Sequence, residues 1–153
     1  MKKIIFILPL IIILVGCSNK VEENKISYLE YKSKLLEQET FTEEKNADFN
    51  TFFNIERENE ETVKYSMIID NPKIDMYNVK ALLIHDYMQE EEYPSSGILE
   101  EPIDLLKKSD NRIELNGTIQ TIEDISNVNF KLYLEYTDSK GTENKIYYQV
   151  SRG

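Results

Sequence analysis

The chain has 153 residues, with 18 Lys and Arg against 28 Asp and Glu, a net charge of −10, one Cys, one His and no Trp. So acidic a surface repels phosphate backbones and anionic headgroups, which excludes nucleic acid as a partner class. A single Cys excludes an intramolecular disulfide, and one His beside it leaves too few ligands for a zinc site.

The chain opens MKKIIFILPLIIILVGCSNK, in which Lys2 and Lys3 precede an uncharged apolar stretch of twelve residues, Ile4 to Val15. A helix that spans a bilayer needs about 20 apolar residues. The shorter stretch, with charge before it and small residues after it, has the order of a secretory signal peptide. Pro9 suits a transient segment of that kind. The stretch closes with Leu14-Val15-Gly16-Cys17, which resembles the lipobox of bacterial lipoprotein precursors. The resemblance implies a diacylated Cys17 thiol, cleavage between Gly16 and Cys17, and a mature chain anchored at the outer face of the cell membrane. Two acyl chains hold stably where one binds reversibly. Acylation also disposes of an exported thiol that has no partner. Abundant Lys, Ile, Asn and Glu resemble proteins of low-GC Gram-positive bacteria, so the expected location is the extracytoplasmic face of a Gram-positive cell membrane. Loss of residues 1–16 leaves 16 Lys and Arg against 28 Asp and Glu, near −12.

Residues 17–25 are polar and aperiodic, as a spacer between lipid and domain would be. Ser27 and Glu30 then make an S-x-x-E capping box, with Ile26 and Tyr31 placed as its hydrophobic staple. Tyr28 and Leu35, like Leu29 and Leu36, stand two turns apart, and Glu30 and Lys34 form an i,i+4 pair. These spacings predict a helix from about Ser27 to Glu39, either lying on the domain or projecting as a stalk.

From Phe52 onward the period is two. Val63, Tyr65, Met67 and Ile69 alternate with polar residues across Thr62 to Asp70, and Phe52 to Arg57 precedes them as a hairpin partner. Asn71-Pro72 stops that strand, because proline donates nothing to a ladder. Tyr77 to Asp86 is apolar on both faces, as a central strand would be. Arg112 to Thr121 alternates through Ile113, Leu115 and Ile119, with Asn116-Gly117 predicting a bulge or bend. In the final hairpin, a register in which paired residue numbers sum to 280 sets Leu134 beside Ile146, Leu132 beside Tyr148 and Phe130 beside Val150. It also sets Tyr133 beside Tyr147, and Glu135 beside Lys145, on the other face. About six short strands and one helix predict a mainly β fold, an antiparallel immunoglobulin-like β-sandwich preceded by one N-terminal helix. The antibody Cys…Trp…Cys core is absent, so the likeness is one of architecture. The expected organisation is a signal peptide over 1–16, lipidated Cys, spacer and helix over 17–40, and the sandwich over 41–153.

Few residues point to chemistry. His85 is the sole histidine and lies in a strand with no G-x-S-x-G or comparable nucleophile context nearby. Glu90-Glu91-Glu92 and Glu100-Glu101 bracket Tyr93-Pro94-Ser95-Ser96-Gly97-Ile98 within a long connection, residues 88–111, read as a solvated loop or a calcium-binding lip. Tyr87, Tyr93 and Ile98 in and beside that connection form one candidate partner surface. Tyr133 and Tyr147 form a second, either an outward aromatic patch for a protein, peptide or glycan or a face resting under the helix. The lipobox, an Asn-Pro after a strand, the Tyr-Pro-Ser-Ser-Gly-Ile segment and a Tyr-rich closing hairpin together resemble small Gram-positive lipoproteins. That group has no established activity to carry over. The expectation is a non-enzymatic, membrane-anchored binding module for a protein or envelope component, without cofactor or metal. The alternative is a small-ligand or metal-ion binding lipoprotein accessory to a transporter.

Overall fold

Val63, Tyr65, Met67 and Ile69 occupy every second position of one strand, and all four side chains enter a single core. That alternation sets the architecture of the whole chain. The computed structural model describes residues 18–43, 46–87, 97–123, 125 and 128–152. They form one helix, α1 (Ser18–Glu37), and seven strands: β1 (Asn50–Arg57), β2 (Thr62–Asp70), β3 (Met76–His85), β4 (Gly97–Leu105), β5 (Ile113–Gln120), β6 (Val128–Thr137) and β7 (Glu143–Arg152). The strands make two antiparallel sheets, ordered β1-β2-β5 and β4-β3-β6-β7. The described residues are mainly β with one helix, as the periodicities predict.

The β6–β7 hairpin has the predicted register along its full length, from Val128 opposite Arg152 to Thr137 opposite Glu143. The β1–β2 hairpin is also present, its turn closed by the Glu58 amide donating to the Thr62 carbonyl at 2.9 Å. Three features differ from expectation. The helix reaches back to Ser18, the first described residue, so residues 18–25 are helical and do not form an aperiodic spacer. Ser27 therefore lies within the helix and Ile26 is exposed, so the proposed cap and staple are not formed. Once nucleated, a helix extends at little cost through residues such as Val21, Glu22, Glu23 and Lys25. Secondly, β5 pairs with β2 without a register shift, so Asn116-Gly117 makes no bulge. Gly117 lies opposite Tyr65, and a large cross-strand ring offsets the missing side chain. Thirdly, part of the connection 88–111 is a strand. β4 escaped notice because Glu100-Glu101-Pro102 breaks any apolar period; it is an edge strand, where proline is tolerated, and its pairing with β3 is irregular.

Two apolar clusters explain why β3 is apolar on both faces. Ala81 and Leu83 point between the sheets, where they meet Met67, Ile113, Phe130 and Leu132. Leu82 and Ile84 point the other way and meet Tyr28 and Leu35 of α1 and Tyr133 of β6. The helix thus lies on the outer face of the four-stranded sheet rather than projecting as a stalk. The predicted Glu30–Lys34 pair forms at 2.6 Å on its exposed side. Leu35 is fully buried, so Leu35→Ala is expected to weaken helix docking by about 2–5 kcal/mol. Hydrogen exchange should show faster exchange in α1 with the amides of β2 and β6 unchanged. Equal acceleration throughout would mean the helix is integral to the sheet core.

Candidate binding surfaces

The outer face of the four-stranded sheet carries the aromatic pair that the register predicts. Tyr133 and Tyr147 stand opposite each other, ring centroids 5.5 Å apart. The pair is not an exposed patch. Tyr133 is fully buried, with Tyr31 of α1 stacked on it at 4.8 Å, and Tyr147 packs half-buried at the margin of the same cluster. Of the two readings of this pair, the face resting under the helix is the one the structure has: an apolar sheet face and the apolar side of a nearby helix bury each other.

A buried phenol needs a hydrogen-bond partner. Residues two apart share a face of a strand, and the Tyr133 hydroxyl donates to Glu135 Oε2 at 2.5 Å. Lys80 Nζ, on the adjacent strand, donates to Glu135 Oε1 at 3.2 Å, and Lys145 lies 3.8 Å away on the other side. Burial and then the Glu135 carboxylate push the Tyr133 phenol far above its ordinary range, so it stays neutral. Burial alone would raise the Glu135 carboxyl. The hydrogen bonds from Tyr133 and Lys80 and the two ammonium charges outweigh it and hold the carboxyl below its ordinary value of 4.5. Because the folded value is the lower one, this stabilisation is complete above about pH 4.5 and is lost as pH falls through the folded value. Urea unfolding between neutrality and about pH 3 should therefore show the wild type losing stability relative to Glu135→Gln. A pH-independent difference between the two would contradict the coupling.

The other candidates are more scattered. Tyr87 and Ile98 are partly buried and pack against the inter-sheet core, so neither projects as a partner contact. Tyr93, Gly16 and Cys17 lie outside the described residues, as do the acids at 90–92. Glu100 and Glu101 are exposed on β4. His85 ends β3 with its ring edge-on to Tyr65 at 5.3 Å and to Phe130 at 5.7 Å. The same residue borders a groove of about 370 Å³ between α1 and the end of β3, together with Leu29, Lys32, Leu36 and Asp86. The Asp86 carboxylate accepts from the Asn129 side chain at 2.9 Å. The Asp138 carboxylate caps its own turn, accepting from the Lys140 and Thr142 amides at 2.8 and 2.9 Å. Among the described residues no three His, Cys, Asp or Glu are grouped so as to hold a metal, and no helix is long and apolar enough to cross a membrane.

Among the described residues nothing covers the outer face of the second sheet, and alternation alone does not reveal how its strands align there. Asn54, Ser66 and Asn116 fall in one cross-strand row, and Glu56, Lys64 and Thr118 in the next. The two rows line an open trough of about 600 Å³. Lys64 pairs with Glu58, and the Asn116 amide donates to Glu114 at 3.2 Å. The trough offers amides, hydroxyls and both charge signs on a rigid sheet, the equipment of polar recognition. Exposed Phe52 and half-buried Ile68 flank it as the next row.

No family model, no curated protein and no solved structure matches the chain. Its residues and geometry therefore carry the functional reading.

Proposed function

We propose that the chain is a lipid-anchored, extracytoplasmic binding module without catalytic activity, held by Cys17 and presenting the outer face of β1-β2-β5 to a protein or envelope component. The observation that carries this reading is Leu14-Val15-Gly16-Cys17 at the end of a twelve-residue apolar stretch. The covered sheet supports the choice of surface: among the described residues α1 occupies one outer face, and the opposite face is open with its polar trough. The domain belongs, in this reading, to the immunoglobulin-like sandwiches. Seven strands in a three-plus-four arrangement, with the chain passing between sheets after β2, β4 and β5, support that assignment. It departs from the constant-type arrangement in that its fourth strand pairs with the third.

A photo-crosslinking residue placed at Asn54, Ser66 or Asn116 is expected to give a discrete adduct on intact cells, while one replacing Asp138 in the distant β6–β7 turn gives none. No adduct from any of the three trough positions would refute the surface. The groove between α1 and β3 favours a second reading, small-ligand binding. It is within the size range of ligand pockets, and Lys32 and His85 on its lining are each only 8% exposed. A ligand seated there would slow amide exchange at Ile84–Asp86 and leave β5 unchanged.

A further inference from the structure

We propose that the outer strip of α1 rests on the membrane surface, so that the helix lies between bilayer and sheet and holds the domain in one orientation. The proposal rests on the lipid-anchor reading. Five large apolar side chains stay exposed among the described residues, and three of them, Ile26 at 61%, Leu29 at 43% and Leu36 at 56%, lie on this helix. At 3.6 residues per turn they fall within a strip about 80° wide. Tyr28 and Leu35, turned away from that strip, are the side chains buried against the sheet. The helix therefore has two apolar sides, of which the sheet uses one.

The identity of the occupant follows from where the strip begins. α1 is described back to Ser18, the next residue in sequence after the one that would carry the lipid. At 1.5 Å per residue, Ile26, Leu29 and Leu36 stand about 12, 17 and 27 Å along the axis from Ser18. A surface anchored at Cys17 is within reach of every one of them. Charge agrees. α1 carries four Lys and four Glu, whereas residues 38–153 carry 12 Lys and Arg against 24 Asp and Glu. The domain as a whole is repelled by anionic headgroups, and its helix, whose charges sum to zero, is a side that can approach them. Three half-exposed side chains are too little to hold a protein on a bilayer by themselves. Tethering raises their local concentration, so a weak contact suffices to fix orientation.

The test uses the full lipidated chain in vesicles of phosphatidylglycerol and phosphatidylcholine. With Cys17 acylated, S33C supplies a single free thiol inside the strip, and F52C one on the far sheet. An environment-sensitive fluorophore at position 33 is expected to shift to the blue and to be quenched by spin-labelled lipid. The same fluorophore at position 52 should do neither. The triple variant I26S/L29S/L36S should still float with the vesicles but lose the shift and the quenching at position 33. Flotation with both labels equally solvated overturns the orientation alone. Failure to float overturns the anchor, and the orientation with it.

Discussion

Phe130→Ala is expected to cost about 3–5 kcal/mol of folding stability, the largest loss of any single truncation in the domain. Phe130 is fully buried in β6, and its ring meets Phe53 at 4.5 Å, Tyr65 at 5.0 Å and His85 at 5.7 Å. Those partners come from β1, β2 and β3, so one ring joins the two sheets. Its removal leaves a cavity that three other rings, fixed by their own strands, can fill only in part. Edge-to-face packing among the rings would be lost as well, at about 0.5–1.5 kcal/mol per pair. Urea denaturation should show a lower midpoint at an unchanged slope. A loss under about 1 kcal/mol would mean that the sheets are not held by this cluster.

Much of this architecture is readable from alternation. The β6–β7 register is fixed because only an even sum matches apolar with apolar on one face and Glu135 with Lys145 on the other. The central position of β3 is equally legible, since only a strand with neighbours on both faces can afford Leu82, Leu83 and Ile84 in succession. What alternation cannot give is the partner of a face. Tyr133 and Tyr147 were correctly paired, but whether they meet water or a helix depends on where α1 folds back. The decisive residues there, Tyr28, Tyr31 and Leu35, lie about a hundred positions away in sequence. β4 was hidden for the opposite reason. An edge strand takes part of its specification from one neighbour, so it tolerates Glu100, Glu101 and Pro102, which individually argue against a strand. The trough on β1-β2-β5 was invisible because it is assembled from non-consecutive strands, β2 pairing with β5 across β3 and β4. The S-x-x-E signature at Ser27 and Glu30 does not mark a helix start, because α1 already runs through residues 18–25.

The second large effect concerns Cys17, which in the proposed reading ties the domain to its surroundings. Cys17→Ala removes the atom that accepts the lipid, and a single remaining apolar strip on α1 cannot replace two acyl chains. The wild type is expected in the membrane fraction at the size of residues 17–153. The variant is expected to accumulate at precursor size, with residues 1–16 still attached. A Cys17→Ala chain found in the membrane at mature size would show that attachment and cleavage proceed without the lipid.

The helix gives that anchor a structural meaning beyond tethering. A flexible spacer would let the acidic domain drift from the bilayer. In the proposed reading, a helix that reaches back to Ser18 and is packed by Tyr28, Tyr31 and Leu35 on β3 and β6 would carry position from the lipid to the sheet. On that reading the β1-β2-β5 face, open among the described residues, would point away from the helix-covered side, toward what the protein meets outside the cell.

The central claim is tested most directly by mass spectrometry of the amino-terminal peptide of protein extracted from membranes. The lipid-anchor account predicts a peptide beginning at Cys17 and carrying a thioether-linked diacylglycerol on its sulfur. A peptide that includes Gly16, or one that begins at Cys17 with an unmodified thiol, would contradict it.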